Sequence, residues 1–197
     1  MRNSIAIDLT IPFSLGHKNG LRTYPLRLMP KKSSRAVILM GVAGSGKTAV
    51  GMRVAQKLDW ILLDADDFHP PANIEKMKHG IPLNDLDRAP WLQRLHDELQ
   101  RQIAEGHSVI LACSALKESY RKVLRDEVSP PLFVYLDVDP ETIRDRLQHR
   151  THFFPKELME SQFAALEKPR DAIIVDARKP LNEVVEQVIQ AVTGLTD

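Results

Sequence analysis

A second cysteine is missing from this chain: Cys113 stands alone among 197 residues. An internal disulfide framework is therefore excluded, and the composition fits a reducing compartment, the cytoplasm. No apolar run reaches the roughly 18 residues that a membrane helix needs, so no membrane partner is expected. A dominant charge is missing as well. Lys and Arg number 27 against 26 Asp and Glu, a net of +1. That balance offers no general field for nucleic acid or an acidic lipid surface. There is no internal repeat and no low-complexity tract. The histidines show no metal-ligand spacing, which argues against a zinc site. What is present is ordinary for a soluble globular domain, 43% apolar and 27% charged.

The even balance hides an asymmetry. Residues 1–35 hold seven basic side chains and one acid, Asp8, whereas the rest of the chain is net acidic. Pro12, Gly16, Gly20, Pro25 and Pro30 punctuate the front segment, and no helical or strand period runs through it. Residues 1–34 are therefore expected to be a poorly ordered basic extension, or translation starting upstream of Met29. An organelle-targeting arm is the alternative.

From Ala36 onward, apolar runs alternate with helical patterns. The runs Ala36–Met40, Trp60–Leu63, Ser108–Cys113, Leu132–Leu136 and Ala172–Val175 are short and apolar on both faces. Such runs suit a parallel sheet covered on both sides. Between them, Leu181, Val184, Val185, Val188 and Val192 recur on one helical face, with Pro180 as a first helical residue. Asp139 before Pro140 reads as a cap for a helix with Ile143 and Leu147 inward. Asp87 reads as a cap for a helix carrying Trp91, Leu92, Leu95, Leu99 and Ile103, which Gly106 would stop. The fold class is α/β with right-handed crossovers. Asn73–Gly80 and His149–Lys156 fit the alternation least well and read as inserts over the sheet.

Chemistry enters at Gly41-Val42-Ala43-Gly44-Ser45-Gly46-Lys47-Thr48, which matches G-x-x-x-x-G-K-[ST] between a strand and a helix. Backbone amides of such a loop curl around phosphate oxygens, and the helix N-terminus adds partial positive charge. Lys47 is placed to reach the β- and γ-phosphates of a nucleotide, and Thr48 offers a hydroxyl to Mg²⁺. The base-reading Asn-Lys-x-Asp of GTPases is missing. The third run ends in Cys113-Ser114 rather than an aspartate, so the metal's acidic partner must come from elsewhere. Asp64, Asp66 and Asp67 supply acids at the carboxyl end of the second run, the edge where open α/β sheets bind ligands. On an extended chain Asp64 and Asp66 point the same way, one toward a metal and one toward an acceptor hydroxyl. Asp67 faces away.

Several stretches together resemble the gluconokinase family. They are Asp64 through Met77, Gly80 through Leu92, Cys113 through Lys117 with Tyr120-Arg121, and His152-Phe153-Phe154 followed by Gln162-Phe163. With the phosphate loop, the likeness covers residues 35–192. It implies a P-loop kinase domain over 35–197, similar to shikimate kinases. Such a domain has a five-stranded parallel sheet, helices on both faces, a substrate-binding insert and a mobile lid. It implies ATP- and Mg²⁺-dependent phosphorylation of D-gluconate, a small-molecule sugar acid, at its 6-hydroxyl, and a homodimer. It also implies roles: Asp64 beside Thr48 on the metal, Asp66 facing the hydroxyl, and Arg88 on the substrate carboxylate. His69, Lys117 and Arg121 become further substrate contacts, and Arg146 and Arg150 become arginines that reach the transferring phosphate. Thr151 stands where many members have glycine. Another polar acceptor, or a nucleotide-sensing protein without transfer, remains as an alternative. The Asp87-Arg88-Ala89-Pro90-Trp91 stretch speaks against the first, and the complete Lys47, Thr48, Asp64 and Asp66 set against the second.

Overall fold

The computed structural model describes residues 34–126, 129–148 and 156–194. The chain divides into two units, Met1–Lys31 and Lys32–Asp197. The first lies outside the described residues, as do Arg150, Thr151 and the His152-Phe153-Phe154 stretch.

Each apolar run becomes a strand, the first with its bounds unchanged and the others with bounds shifted by at most one residue: β1 Ala36–Met40, β2 Ile61–Asp64, β3 Val109–Ala112, β4 Leu132–Asp137 and β5 Ile173–Asp176. They form one five-stranded sheet in the order β2-β3-β1-β4-β5. Every pairing is parallel, and Ile38 of β1 sits beside Leu111 of β3 and Phe133 of β4. The helices are α1 Lys47–Leu58, α2 Pro71–Lys78, α3 Asp85–Ala104, α4 Glu118–Leu124, α5 Pro140–Gln148, α6 Lys156–Ala165 and α7 Leu181–Thr193. No helix among the described residues is long and apolar enough to cross a membrane.

Strand period explains the two-sided core. Val37 and Leu39 of β1 share one buried cluster with Val50 and Val54 of α1 and with Val184, Val188 and Val192 of α7. Ile38 and Met40 join the other, with Trp91, Leu92, Leu95 and Leu99 of α3 and Tyr120 and Leu124 of α4. Burying each such side chain is worth about 1.5–3 kcal/mol, so β1 is anchored on both faces. The chain proceeds from β1 to β2 on one side and reaches β4 on the other. The crevice at the carboxyl end of β1 is therefore the topological switch point where ligands bind.

Helix ends refine the sequence reading. Asn84, not Asp87, caps α3. Asp87 sits three residues in and closes a reciprocal box, accepting from Asn84 N at 3.0 Å while Asn84 Oδ1 accepts from Asp87 N at 2.9 Å. Asp87 looked like the cap because both ends of the box are polar. Pro90, inside α3, removes the amide that would reach the Leu86 carbonyl. Pro180 is the residue before α7 rather than its first. Asp139 caps α5 as expected, accepting from Thr142 N at 2.8 Å, and Ile143 is fully buried.

Gly51 sets how closely α1 lies on the sheet. A Cβ there would stand 2.9 Å from Leu62 Cδ1 and 3.4 Å from Leu39 Cδ1. Leucine ends can yield to one methyl, and alanine gains about 1 kcal/mol of helix propensity over glycine. Gly51→Ala should leave the thermal midpoint almost unchanged. Gly51→Val should lower stability by about 1–3 kcal/mol through overpacking. A Gly51→Val protein as stable as the parent in thermal unfolding would contradict this packing.

Candidate active site

The phosphate loop leaves β1 at Gly41 and enters α1 at Lys47. Gly41 has φ 144, and a Cβ there would lie 3.0 Å from both the Leu136 carbonyl and Ser45 Oγ. Gly46 has φ 98. Only glycine takes these turns without strain. Gly41 N donates to the Ser114 carbonyl at 3.3 Å, which pins the loop to the exit of β3. The Lys47 ammonium donates to the carbonyls of Gly41 and Val42, each at 3.0 Å. It thus lies along the inside of the loop.

Beside this loop, β2 ends in Asp64. Its Oδ2 accepts from Thr48 Oγ1 at 2.8 Å, and its Oδ1 accepts from Asp66 N at 3.1 Å. A hydroxyl and a carboxylate therefore converge at the mouth of the loop. Both are hard oxygen donors, which fits Mg²⁺. The extended geometry expected for Asp64 and Asp66 does not hold. The chain turns into a 3₁₀ helix over Ala65–Phe68, and Asp64 caps that turn. The Asp66 side chain is 88% exposed, and Asp67 is exposed too. Enclosure by the surrounding walls, then the charge of Asp64, raises the Asp66 carboxyl above its ordinary range, with Lys47 opposing. Because the side chain stays open to solvent, the shift belongs to the cleft rather than to a dry pocket.

The other wall of the cleft is built on Trp91. Its Nε1 donates to the Ala65 carbonyl at 2.7 Å, and His69 stacks on its ring at 4.4 Å between centroids. Asn73 of α2 donates to the Asp87 carbonyl at 2.8 Å. His69 is buried, and burial followed by the charge of Arg88 lowers its pKa to about 4. Its 4.0 Å approach to Asp66 is therefore no ion pair at neutral pH.

Arg88 projects from the start of α3. It donates to the Leu83 carbonyl, contacts Tyr120 Oη at 3.5 Å and lies over the Tyr120 ring at 5.6 Å. Lys117 flanks the same ring at 5.4 Å. Asp85 bridges the group, accepting from Lys117 at 2.8 Å and from Tyr120 Oη at 2.5 Å. The Lys117 bond, then the Tyr120 bond, holds the Asp85 carboxyl below its usual range.

Two arginines do something else. Arg121 is 1% exposed. It donates to the carbonyls of Ala115 and Leu116, each at 3.0 Å, and to Glu118 at 2.9 Å. The substrate contact expected for it is thus replaced by a structural one. The guanidinium holds a turn in which Ala115 adopts φ 43, and that turn carries Lys117. Arg146 donates to the Ala177 carbonyl at 2.5 Å. It lines a cavity of about 720 Å³ that runs from Gly44 and Gly46 to Arg178 and Pro180. Sequence reasoning had no role for the Ala177–Leu181 loop. Its place after a strand at the ligand-binding edge was the available signal.

A parallel sheet in this order, with a phosphate loop after β1 and a metal-suited carboxylate after β2, defines a P-loop kinase. The AAA domain family matches residues 37–173. The chain is 46% identical over 160 residues to a gluconokinase of Gluconobacter oxydans (strain 621H), covering 79% of this chain and 90% of that protein. It is 44% identical to the thermosensitive gluconokinase of Escherichia coli (strain K12), covering 83% and 90%. A gluconokinase structure from Sinorhizobium meliloti 1021 superposes with a TM-score of 0.75 at 38% identity, covering 83% and 93%. The chain belongs to the gluconokinase family.

The neutral, buried His69 has a consequence for stability. Its folded pKa lies below its unfolded one, so between about 6.5 and 4 the unfolded chain binds a proton that the folded chain refuses. Stability is present in full above that window and falls as the pH drops through it. At about 1.4 kcal/mol per unit, the loss approaches about 3 kcal/mol. His69→Phe keeps a ring against Trp91 and should flatten this acid limb in urea unfolding. A limb of unchanged steepness in His69→Phe would contradict it.

Proposed function

We propose that this protein transfers the γ-phosphoryl group of ATP to the 6-hydroxyl of D-gluconate, giving 6-phospho-D-gluconate, with Mg²⁺ as the metal. The observation that supports it best is the cation pair, Arg88 and Lys117, gathered at the Tyr120 ring. Within the site the carboxylate of Asp85 bonds Lys117, and the charges of Asp85 and Asp87 both act on Arg88. A sugar-acid carboxylate is the ligand such a pair accepts. The sugar's far end then extends toward Asp66.

In this reading the loop amides and Lys47 hold the phosphates, and Lys47 adds a phosphate oxygen to the Gly41 and Val42 carbonyls it already meets. Its charge then acts where the transition state gathers charge. When bound at Thr48 and Asp64, Mg²⁺ supplies charge neutralisation and fixes the phosphate chain. Asp66 accepts the proton of the attacking hydroxyl, and its raised pKa moves it toward the range a general base needs. Arg146 reaches the phosphate from the cavity wall, and the base of the nucleotide lies along the Ala177–Leu181 loop. His69, neutral against Trp91, offers a ring nitrogen to a sugar hydroxyl.

Glucose carries the same 6-hydroxyl without the carboxylate. A site built to bind a polar group rejects analogues lacking it by about 10⁴–10⁵. Allowing for water in this open cleft, gluconate should be preferred over glucose by at least about 10³ in kcat/KM. Arg88→Leu should lower gluconate turnover and shrink that ratio. Arg88→Lys should rescue only partly, because a point charge lacks the bidentate fork. Equal kcat/KM for the two sugars in the unmodified enzyme would refute the sugar-acid reading. An unchanged ratio in Arg88→Leu would move the anchor to Lys117.

A further inference from the structure

The peptide between Val42 and Ala43 is gripped at both ends. Its carbonyl accepts from the Lys47 ammonium at 3.0 Å. Its N–H donates to Gln162 Oε1 at 2.6 Å, across 119 positions of sequence. One side chain on α6 is thus hydrogen-bonded to the same peptide unit on which the catalytic lysine rests. Neighbouring glycines, Gly41 with φ 144 and Gly44 with φ 82, make this stretch of loop the part freest to rotate.

The base of the tether is firm. Met159 of α6 is 5% exposed in the same apolar cluster as Val42, and Phe163 and Leu166 pack against that cluster. Just past α6, Glu167 N donates to the Leu116 carbonyl at 2.9 Å, and its carboxylate accepts from Glu118 N at 2.6 Å. Those two bonds bracket Lys117. Gln162 therefore projects from a helix seated against the core and tied, at its far end, to the turn that carries a substrate cation.

We infer that Gln162 is a positioning residue for phosphoryl transfer: it holds the Val42–Ala43 peptide with its carbonyl toward Lys47, so that the loop and the lysine keep one arrangement through the reaction. The inference rests on the phosphotransfer reading above. Its chemistry is simple. An N–H needs an acceptor, and Oε1 is the acceptor supplied. A rotated peptide would turn the Val42 carbonyl away from Lys47 and set its oxygen against incoming phosphate oxygens. A cation on the carbonyl end also strengthens the N–H as a donor, so the two bonds support each other. Gln162 touches neither phosphate nor sugar in this account and acts through Lys47.

Two variants and one exchange measurement test it. Gln162→Leu fills similar space without an acceptor. It should lower kcat about tenfold, the equivalent of about 1.4 kcal/mol, with KM for gluconate unchanged. Gln162→Glu keeps an acceptor at the same reach. It should recover most of that kcat while raising KM for ATP through its added charge. Exchange of the Ala43 amide, followed by NMR without any substrate, should be about tenfold or more faster in Gln162→Leu than in the parent or in Gln162→Glu, as expected when a hydrogen bond of roughly this worth is lost. An unaltered kcat in Gln162→Leu, a loss of kcat with unchanged Ala43 exchange, or a Gln162→Glu enzyme as impaired as Gln162→Leu would each overturn the inference. The exchange arm stands apart from substrate identity. A parent that releases no ADP with gluconate would refute the proposed function, and Ala43 exchange would still decide whether Gln162 holds the loop.

Discussion

The hydrogen bond from Trp91 Nε1 to the Ala65 carbonyl, 2.7 Å long, joins the two halves of the site. A buried indole N–H must find an acceptor. The acceptor here is the first residue beyond β2, where the carboxylates stand. Trp91 belongs to α3, which also presents Arg88. The bond therefore sets how far Arg88 lies from the carboxylates, and His69 stacks on the same indole. Asn73 adds α2 to this block through the Asp87 carbonyl. The phosphate loop is positioned by β1, Asp64 by β2, and Arg88 and His69 by this junction.

Charge is distributed to suit that division. The α3–α4 side concentrates cations around Tyr120 and carries a counter-ion, Asp85. The nucleotide side sets Lys47 opposite Asp64 and Asp66. His69 lies between the two and stays neutral because burial and Arg88 both disfavour its charged form. A charged imidazole there would pair with Asp66, 4.0 Å away. Arg121 shows the converse arrangement. It is fully buried and charged, and it is tolerated because its donors meet the carbonyls of Ala115 and Leu116 and the carboxylate of Glu118.

Much of this was legible in the chain. Strands buried on both faces read as plain apolar runs, which is why all five were found with small errors at their ends. The phosphate loop was legible because its chemistry demands glycines at fixed spacing before Lys47. Less visible was anything set by a change of backbone direction. Asp64 and Asp66 looked parallel because nothing in the sequence marks the turn at Ala65. Arg121 looked like a ligand because its burial depends on a left-handed Ala115 that no residue type announces. The Gln162 contact and the Ala177–Leu181 wall are products of tertiary packing between distant segments, and local pattern carries no trace of them.

The carboxylate anchor proposed for Arg88 and Lys117 aims the terminal hydroxyl of gluconate at the phosphate loop. Phosphorus NMR of the product formed from ATP and D-gluconate tests it most directly. A phosphomonoester coupled to the paired methylene protons of the terminal carbon, appearing in step with ADP, is the predicted result. A phosphorus signal coupled to a single methine proton, or ADP released alongside free inorganic phosphate alone, would contradict it.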